Sequence, residues 1–253
     1  MKAIILSAGR GTRMMPLTKN TPKCLLQLEN GSSVLETQLD AIEKSGKVDE
    51  VILVLGYLAE QVEAKIAHYK NRLKIKVVYN PFYDSANNLM SLWCAHFEMD
   101  SDFVIINGDD IFHESVLNGL LTNKGEGIFV TIDKLPSYTE DDMKVKMEGK
   151  KIVFINKKIP QKEANGESVG MILVRGKKNI DGCAWAILRL VRQPESKGIF
   201  WLEAFNEMAR NNFALTPFEI SQDDWCEIDF HADLKILKKK VLKFGWDGFG
   251  ESQ

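Results

Sequence analysis

The sequence predicts an α/β fold: a mostly parallel sheet with helices on both faces and a small β-hairpin insertion. Three observations predict it. Near-continuous apolar runs recur through the first half, stretches of helical period separate them, and glycine, asparagine or acidic residues stand where the runs stop. The elements follow in order. KAIIL (Lys2 to Leu6) reads as a buried strand, and SVLETQLDAIEKSG as a helix with Ser33 and Glu36 spaced as a capping box and Gly46 as its stop. EVILVLG (Glu50 to Gly56) is a second strand, LAEQVEAKIAHYKNRL has helical period, and KIKVVYN (Lys74 to Asn80) is a third strand. NNLMSLWCAHFEM reads as a helix, and DFVIINGDD as a fourth strand running into acids.

The second half is less regular. DMKVKMEGKKIVFINKK reads as a hairpin turning at Gly149-Lys150, and ESVGMILVRG as a further strand. Helical stretches follow around Ile187 to Arg192 and Leu202 to Arg210. WCEIDFHADLKILKKKVLKFG reads as a short strand, an acidic turn and a helix, ahead of a glycine-rich tail. With no internal repeat and no Pro/Ser-rich linker, one domain over 1–253 is expected, with 241–253 as its tail.

Composition narrows the function. Hydrophobic residues make up 45% and charged residues 27%, the balance of a soluble globular protein. A net charge of −2 gives no global field for nucleic acid or anionic membrane, so any anion must be bound by local geometry. The apolar run Ala3 to Leu6 is too short for a signal peptide, and no run is long enough to span a membrane. Cys24, Cys94, Cys183 and Cys226 form no CxxC pair, which argues against zinc or disulfides and fits a reducing cytoplasm.

Ligands of such sheets bind at the carboxyl ends of the strands. That edge gathers the loop LSAGRGTRMMPLTKNTPKCL (Leu6 to Leu25), Gly56-Tyr57, the segment from Asn80 to Asn88, and Asp109-Asp110. The loop has neither strand nor helix pattern. The dinucleotide fingerprint fails because Met14 stands where a third glycine is needed, and the second strand does not clearly end in an acid. The P-loop pattern and the kinase HRD and DFG motifs are absent. What remains is a glycine-rich phosphate loop. Glycines let backbone N–H groups approach a triphosphate, Arg10 and Arg13 offer guanidinium forks, and Lys23, fixed behind Pro22, offers a compact cation. Leu6, Ala8 and Gly9 can frame a base, with Gly56-Tyr57 beside them. Asn87, Asn88 and Ser91 either read its polar edge or cap the next helix.

LSAGRGTRMMPLTKNTPKCLL resembles the signature G-x-G-T-R…T-x-x-x-P-K of the sugar-phosphate nucleotidylyltransferase superfamily. The extra residue in Met14-Met15 is common in the branch that makes CDP-activated small molecules. NNLMSLWCA is similar to the N-N-x-x-S-L segment of phosphocholine-type cytidylyltransferases, and the likeness runs on through VIINGDDIF, GESVGMILV, FWLEAFNEM and WCEIDFHADL. The resemblance implies a Rossmann-like, nucleotide-diphospho-sugar transferase-like fold, with an NTP-binding half (1–112) and an acceptor-binding half (113–240). It implies that a substrate phosphate attacks the α-phosphorus of CTP and expels pyrophosphate. Arg13 and Lys23 would be catalytic, and Leu6, Ala8, Gly9, Arg10, Gly11, Thr12, Tyr57, Asn87, Asn88 and Ser91 would bind nucleotide. Asp109 and Asp229 would hold Mg2+, with Glu227 and Asp110 as possible substitutes. A phosphate dianion needs no Ser–His or Cys–His pair, and no such motif is present. A sensor without turnover would lack Lys23 or the acids, and the sequence keeps them all.

The acceptor stays open. A choline head would want an aromatic cage, for which Tyr138, Trp185, Trp201 and Trp225 are candidates. An amino-acid head would want an arginine and an acid, from Glu167, Arg175, Arg189, Arg192 and Glu203. The resemblance favours phosphoglutamine, the precursor of capsular phosphoramidate in bacteria, bound by Glu167, Trp201 and Glu203; phosphocholine and a sugar 1-phosphate are the alternatives.

Overall fold

The structure, a computed structural model, describes residues 1–28, 30–230 and 233. The helix expected after the acidic turn and the tail at 241–253 lie outside them. Four strands, β1 (Lys2–Ser7), β2 (Glu50–Leu55), β3 (Ile75–Tyr79) and β4 (Phe103–Asn107), form the parallel region in the order β3-β2-β1-β4. Successive side chains of a strand face opposite ways. Ala3 and Ile5 of β1 therefore pack into one apolar layer and Ile4 into another, all fully buried.

Helices cover both layers, as expected. On the first face lie α1 (Val34–Ser45) and α2 (Ala59–Ile66), with Leu35, Leu39, Val62 and Ile66 in the core. The capping box of α1 is present: Ser33 N–H donates to Glu36 Oε2 at 2.8 Å, and Glu36 N–H donates to Ser33 Oγ at 3.3 Å. Gly46 closes the helix at φ 60°. On the second face lies α3 (Leu89–Cys94), whose Leu89 and Leu92 pack against Ile4 and Ile52.

Beyond β4 the sheet is mixed rather than mostly parallel. A short β5 (Asp110–Phe112) leads into α4 (Glu114–Leu121) and then β6 (Gly127–Asp133). The hairpin forms as β7 (Lys144–Glu148) and β8 (Lys151–Ile155), turning at Gly149-Lys150. Next comes β9 (Gly166–Arg175), antiparallel to both β4 and β6. The chain continues through α5 (Lys177–Val191), α6 (Glu203–Arg210), β10 (Leu215–Ile220) and β11 (Trp225–Glu227). The strand order from β4 is β9-β6-β10-β8-β7, and β7 pairs back onto β9, so these five strands close on themselves. The apolar run of β9 predicted burial correctly but carries no sign of direction, and direction decides between parallel and mixed. The sequence reading assigned no strand at β6 or β10; the latter carries Pro217, which argues against a strand on sequence grounds.

Two contacts place the functional edge. Antiparallel pairing of β5 with β11 sets Glu227 opposite Asp110, and Ile228 N–H donates to Asp109 O at 3.1 Å. Buried Gln38 of α1 donates through Nε2 to Asn107 O at 2.8 Å and Asp110 O at 2.7 Å, clasping the turn between β4 and β5.

That turn allows no side chain at Gly108, where a Cβ would lie 2.0 Å from Ser7 Oγ and 2.7 Å from Leu6 O. At Gly149, φ +59°, a Cβ would meet nothing within 4 Å. Gly108→Ala should cost roughly 2–3 kcal/mol through overpacking, against about 1 kcal/mol for Gly149→Ala, as read by urea denaturation. Equal losses at the two positions would contradict the close approach of β1 to the β4–β5 turn.

Candidate active site

A cleft of about 660 Å³ opens at the carboxyl ends of β1 and β4, within the range of small-ligand sites. The loop after β1 forms one wall. Its buried anchor is Met14, packed with Leu26, Val34, Ile111 and Ile228, so the residue that breaks the dinucleotide fingerprint pins the loop to the core. Gly11 takes φ 61°, and its carbonyl accepts from Thr18 Oγ1 at 2.7 Å. Gly9 has no left-handed backbone, and a Cβ there would meet nothing within 4 Å. No neighbour among the described residues requires that glycine. It leaves the backbone open to a close ligand.

Lys23 reaches from this wall to the opposite one. Its Nζ lies 2.6 Å from Asp109 Oδ2 and 2.5 Å from Asp229 Oδ1. Burial disfavours the ammonium, but the two carboxylates outweigh it and hold Lys23 above the usual lysine range. Arg13 spans Asp229 at 2.6 Å and Asp141 at 2.8 Å, with its guanidinium 5.1 Å from the Phe230 ring centre. Asp109, Glu227 and Asp229 present oxygens all within 4.8 Å of one another. Burial, then Asp109 and Asp229, push the Glu227 carboxyl well above its usual range. Asp110, behind the trio and 1% exposed, is raised by burial and by Asp109, and its Oδ2 is buried without a partner. Three hard carboxylates converging on a cation-filled point fit magnesium. Glu227, named from sequence only as a substitute, thus stands with Asp109 and Asp229.

Of the residues expected at the nucleotide, Leu6, Ala8, Gly9, Gly11, Thr12, Asn87, Asn88 and Ser91 line the cleft. Arg10 and Tyr57 do not: Arg10 pairs with Asp84 at 2.6 Å and stacks over the Tyr57 ring at 5.2 Å, while Tyr57 OH donates to Lys19 O. Asn88 makes no side-chain cap for α3; its Oδ1 accepts from Trp201 N–H at 2.9 Å, tying α3 to the loop before α6. Ser91 Oγ accepts from buried Asn80 Nδ2 at 3.0 Å.

The acceptor candidates divide. Glu167 and Trp201 line the cleft, although Trp201 is 1% exposed and spends its indole N–H on Asn107 Oδ1 at 2.9 Å. Glu203 does not line it. Arg210, at 2.7 Å, and Asn206, at 2.7 Å, hold it on α6. Arg175 donates to Leu121 O at the far end of β9, Arg189 pairs with Glu207 at 2.7 Å, Arg192 is exposed, and Trp185 is exposed under Arg189. Tyr138 lies outside the lining, whereas Trp225 lines it and donates to Asp133 Oδ2 at 2.9 Å. Asp141, Asp142, Lys157 and Phe200 also line the cleft and were not singled out from sequence. Closure of the hairpin strands onto β9 brings Lys144 opposite Glu167, a long-range pairing that local pattern does not reveal.

A phosphate loop after β1, facing an acidic trio supplied by the β4 and β11 ends, defines a nucleotidyltransferase. Residues 3–134 match the MobA-like NTP transferase domain, and the chain belongs to that family. It is 36% identical to the choline-phosphate cytidylyltransferase of Streptococcus pneumoniae over 120 residues, 47% of this chain and 50% of that protein. It is 25% identical to the CTP:phosphoglutamine cytidylyltransferase of Campylobacter jejuni over 265 residues, 95% of this chain and all of that one. The match to the pneumococcal protein thus spans only half of that protein's length. The solved CTP:phosphocholine cytidylyltransferase from S. pneumoniae shares the fold, with a TM-score of 0.78 at 22% identity over 95% of this chain and 98% of that one. The inositol-1-phosphate CTP transferase from T. maritima does likewise, with 0.77 at 21% identity over 95% and 96%. Among the described residues no helix is long and apolar enough to cross a membrane.

Burial first, then Asp142 and Asp133, push the Glu167 carboxyl from an ordinary 4.5 up to about 8, against the pull of Lys144 and Lys157. The unfolded carboxyl ionises near 4.5, so stability falls as pH rises from there to about 8 and then levels off. Glu167→Gln should therefore raise Tm by a few degrees at pH 8, at roughly 2–4 °C per kcal/mol recovered, with the gain vanishing toward pH 4.5. A difference independent of pH would contradict the burial of this carboxyl.

Proposed function

We propose that the chain is a Mg-dependent cytidylyltransferase that joins CTP to a small phosphorylated acceptor, phosphoglutamine being favoured, with release of pyrophosphate. Residues 1–112 hold the nucleotide and 113–240 the acceptor, and the reaction belongs to the cytoplasm and to capsule modification. The observation that carries the reading is the position of Lys23, on the phosphate loop and against two of the three clustered acids. Relatives named for choline-phosphate, phosphoglutamine and 2-aminoethylphosphonate cytidylyltransferases support CTP, and the second matches over its full length.

The chemistry requires positioning and charge more than proton transfer. An acceptor phosphate oxygen forms a bond to the α-phosphorus while the bond from that phosphorus to the β-phosphate oxygen breaks, and pyrophosphate leaves with the electron pair. Near pH 7 the acceptor phosphate, with its second pKa near ~6, is already a dianion and needs no base. Backbone N–H groups at Gly9 and Gly11 suit the triphosphate. Arg13 suits its non-bridging oxygens through a planar fork, and Lys23 balances charge that builds on the departing pyrophosphate. Asp109, Glu227 and Asp229 would hold magnesium, which when bound neutralises phosphate charge. Both cations already rest on those acids, so the site is organised before substrate arrives.

The test is pyrophosphate release with Mg2+ from each of four NTPs, against phosphoglutamine, phosphocholine, 2-aminoethylphosphonate and glucose 1-phosphate. Turnover is expected with CTP alone. Lys23→Met should lower kcat by at least ~10²-fold, the scale of losing one charge-stabilising donor. Gly9→Ala should keep Tm within about 1 °C, since its methyl meets no protein atom, yet raise the KM for CTP. Turnover with UTP or dTTP in preference to CTP overturns the base assignment, and normal turnover by Lys23→Met overturns the site.

A further inference from the structure

We propose that Lys157 and Glu167 read the head of the acceptor as a zwitterion, Lys157 taking a carboxylate and Glu167 an ammonium, so that the acceptor is a phosphorylated amino acid rather than a purely cationic alcohol phosphate. This rests on the cytidylyltransferase reading above and assigns the substrate class of that site.

Glu167 is the first observation. It is 9% exposed and lines the cleft, and among the described residues its side chain makes no hydrogen bond or ion pair. Its register neighbours are Asp133 on β6 and Lys144 on β7. Asp133 Oδ2 accepts from the Trp225 indole, and Lys144 Nζ donates to Thr139 O at 2.8 Å. Lys144 draws the Glu167 carboxyl electrostatically, but its Nζ donates to the backbone carbonyls of Thr139 and Asp142 rather than to that carboxyl. Beside it, Ser168 Oγ is buried with no hydrogen-bond partner among the described residues. Buried polar groups of this kind are normally satisfied. A cleft-lining carboxyl with no side-chain partner among the described residues is a place for a ligand donor, and Asp142 at the same edge adds negative charge, its own oxygens accepting from Thr139 N–H and Thr139 Oγ1. Charge–charge contact with an ammonium favours the ionised carboxylate and repays part of its burial.

Lys157 is the second and independent observation. Among the described residues, the cations lining the cleft are Arg13, Lys23 and Lys157. The first two belong to the phosphate loop. Lys157 follows β8 on the other side, 2.7 Å from Asp141 and 5.6 Å from the Phe200 ring centre. An ammonium has three donors, and Asp141 uses one. The rest can meet a carboxylate. Lys157, just after β8, and Glu167, on β9, line the same cleft. Phe200 and Met143, on the same wall, supply an apolar surface for the methylenes between head and phosphate. An aromatic cage would suit a quaternary ammonium, but a lysine in it would repel one, and the aromatic residue nearest this lysine already carries a cation.

The test compares kcat/KM, with CTP and Mg2+, for phosphoglutamine and for its analogues lacking the α-carboxylate or the α-ammonium, with phosphocholine alongside. Wild type should prefer phosphoglutamine over either analogue and over phosphocholine by at least tenfold. Lys157→Met should cost phosphoglutamine at least tenfold more than it costs the analogue without carboxylate. Glu167→Gln should cost it at least tenfold more than the analogue without ammonium, a selectivity that a structural role would not produce. Preference for phosphocholine, or equal losses on all acceptors, overturns the zwitterion reading while leaving the cytidylyltransferase intact. No CTP-dependent pyrophosphate from any acceptor overturns the reading on which it rests, and this inference with it.

Discussion

The ammonium of Lys23, held between Asp109 and Asp229, is the interaction on which the rest of the site depends. Each partner comes from a different part of the chain: the loop after β1, the end of β4, and the segment after β11. Three carboxylates this close would repel one another at neutral pH. The buried lysine balances two of them, and the third, Glu227, is driven toward its neutral form by burial and by those same two. Removing one partner from such a buried cluster is expected to be costly because the remaining charges lose their compensation. The same cluster sets the spacing between the phosphate loop and the β5–β11 pair, and hence the width of the cleft.

Function follows from sharing those charges. Arg13 and Lys23 rest on acids that suit a divalent cation, while the open backbone at Gly9 faces the space where a triphosphate would lie. Under the proposed function, the nucleotide's phosphates would take up Arg13 and Lys23, and Asp109, Glu227 and Asp229 would hold the metal. Preorganised charge of this kind needs little rearrangement at the moment of reaction. The mixed, closed second half places Glu167, Lys157 and an apolar wall in the cleft, the residues proposed above to meet the acceptor.

Local features were legible in the sequence, and long-range ones much less so. The capping box of α1, the stop at Gly46, the hairpin turn at Gly149-Lys150 and the four parallel strands all rest on contacts within a few residues or on apolar continuity. The antiparallel run of β9 was not legible, because a fully buried strand reads alike in both directions. The pairing of β5 with β11, which carries Glu227 into the acidic trio, joins segments more than a hundred residues apart. Glu203 and Arg10 lie outside the cleft lining, paired with Arg210 and Asp84, because a charged side chain on a helix or loop shows its type but not its partner. Arg13, Lys23 and Asp109 were legible because residue type, loop and strand end all pointed to the same edge.

The most direct measurement is thermal denaturation of wild type and Lys23→Met, each with and without Mg2+. The account predicts that without metal the variant melts well below wild type, since Asp109 and Asp229 lose their cation. Mg2+ should then raise the Tm of the variant by more than it raises that of wild type, because a ligand bound by the folded state alone stabilises it and no ammonium competes for the carboxylates. A variant as stable as wild type and indifferent to Mg2+ would contradict it, and the acidic trio would no longer be the metal-binding centre of this site.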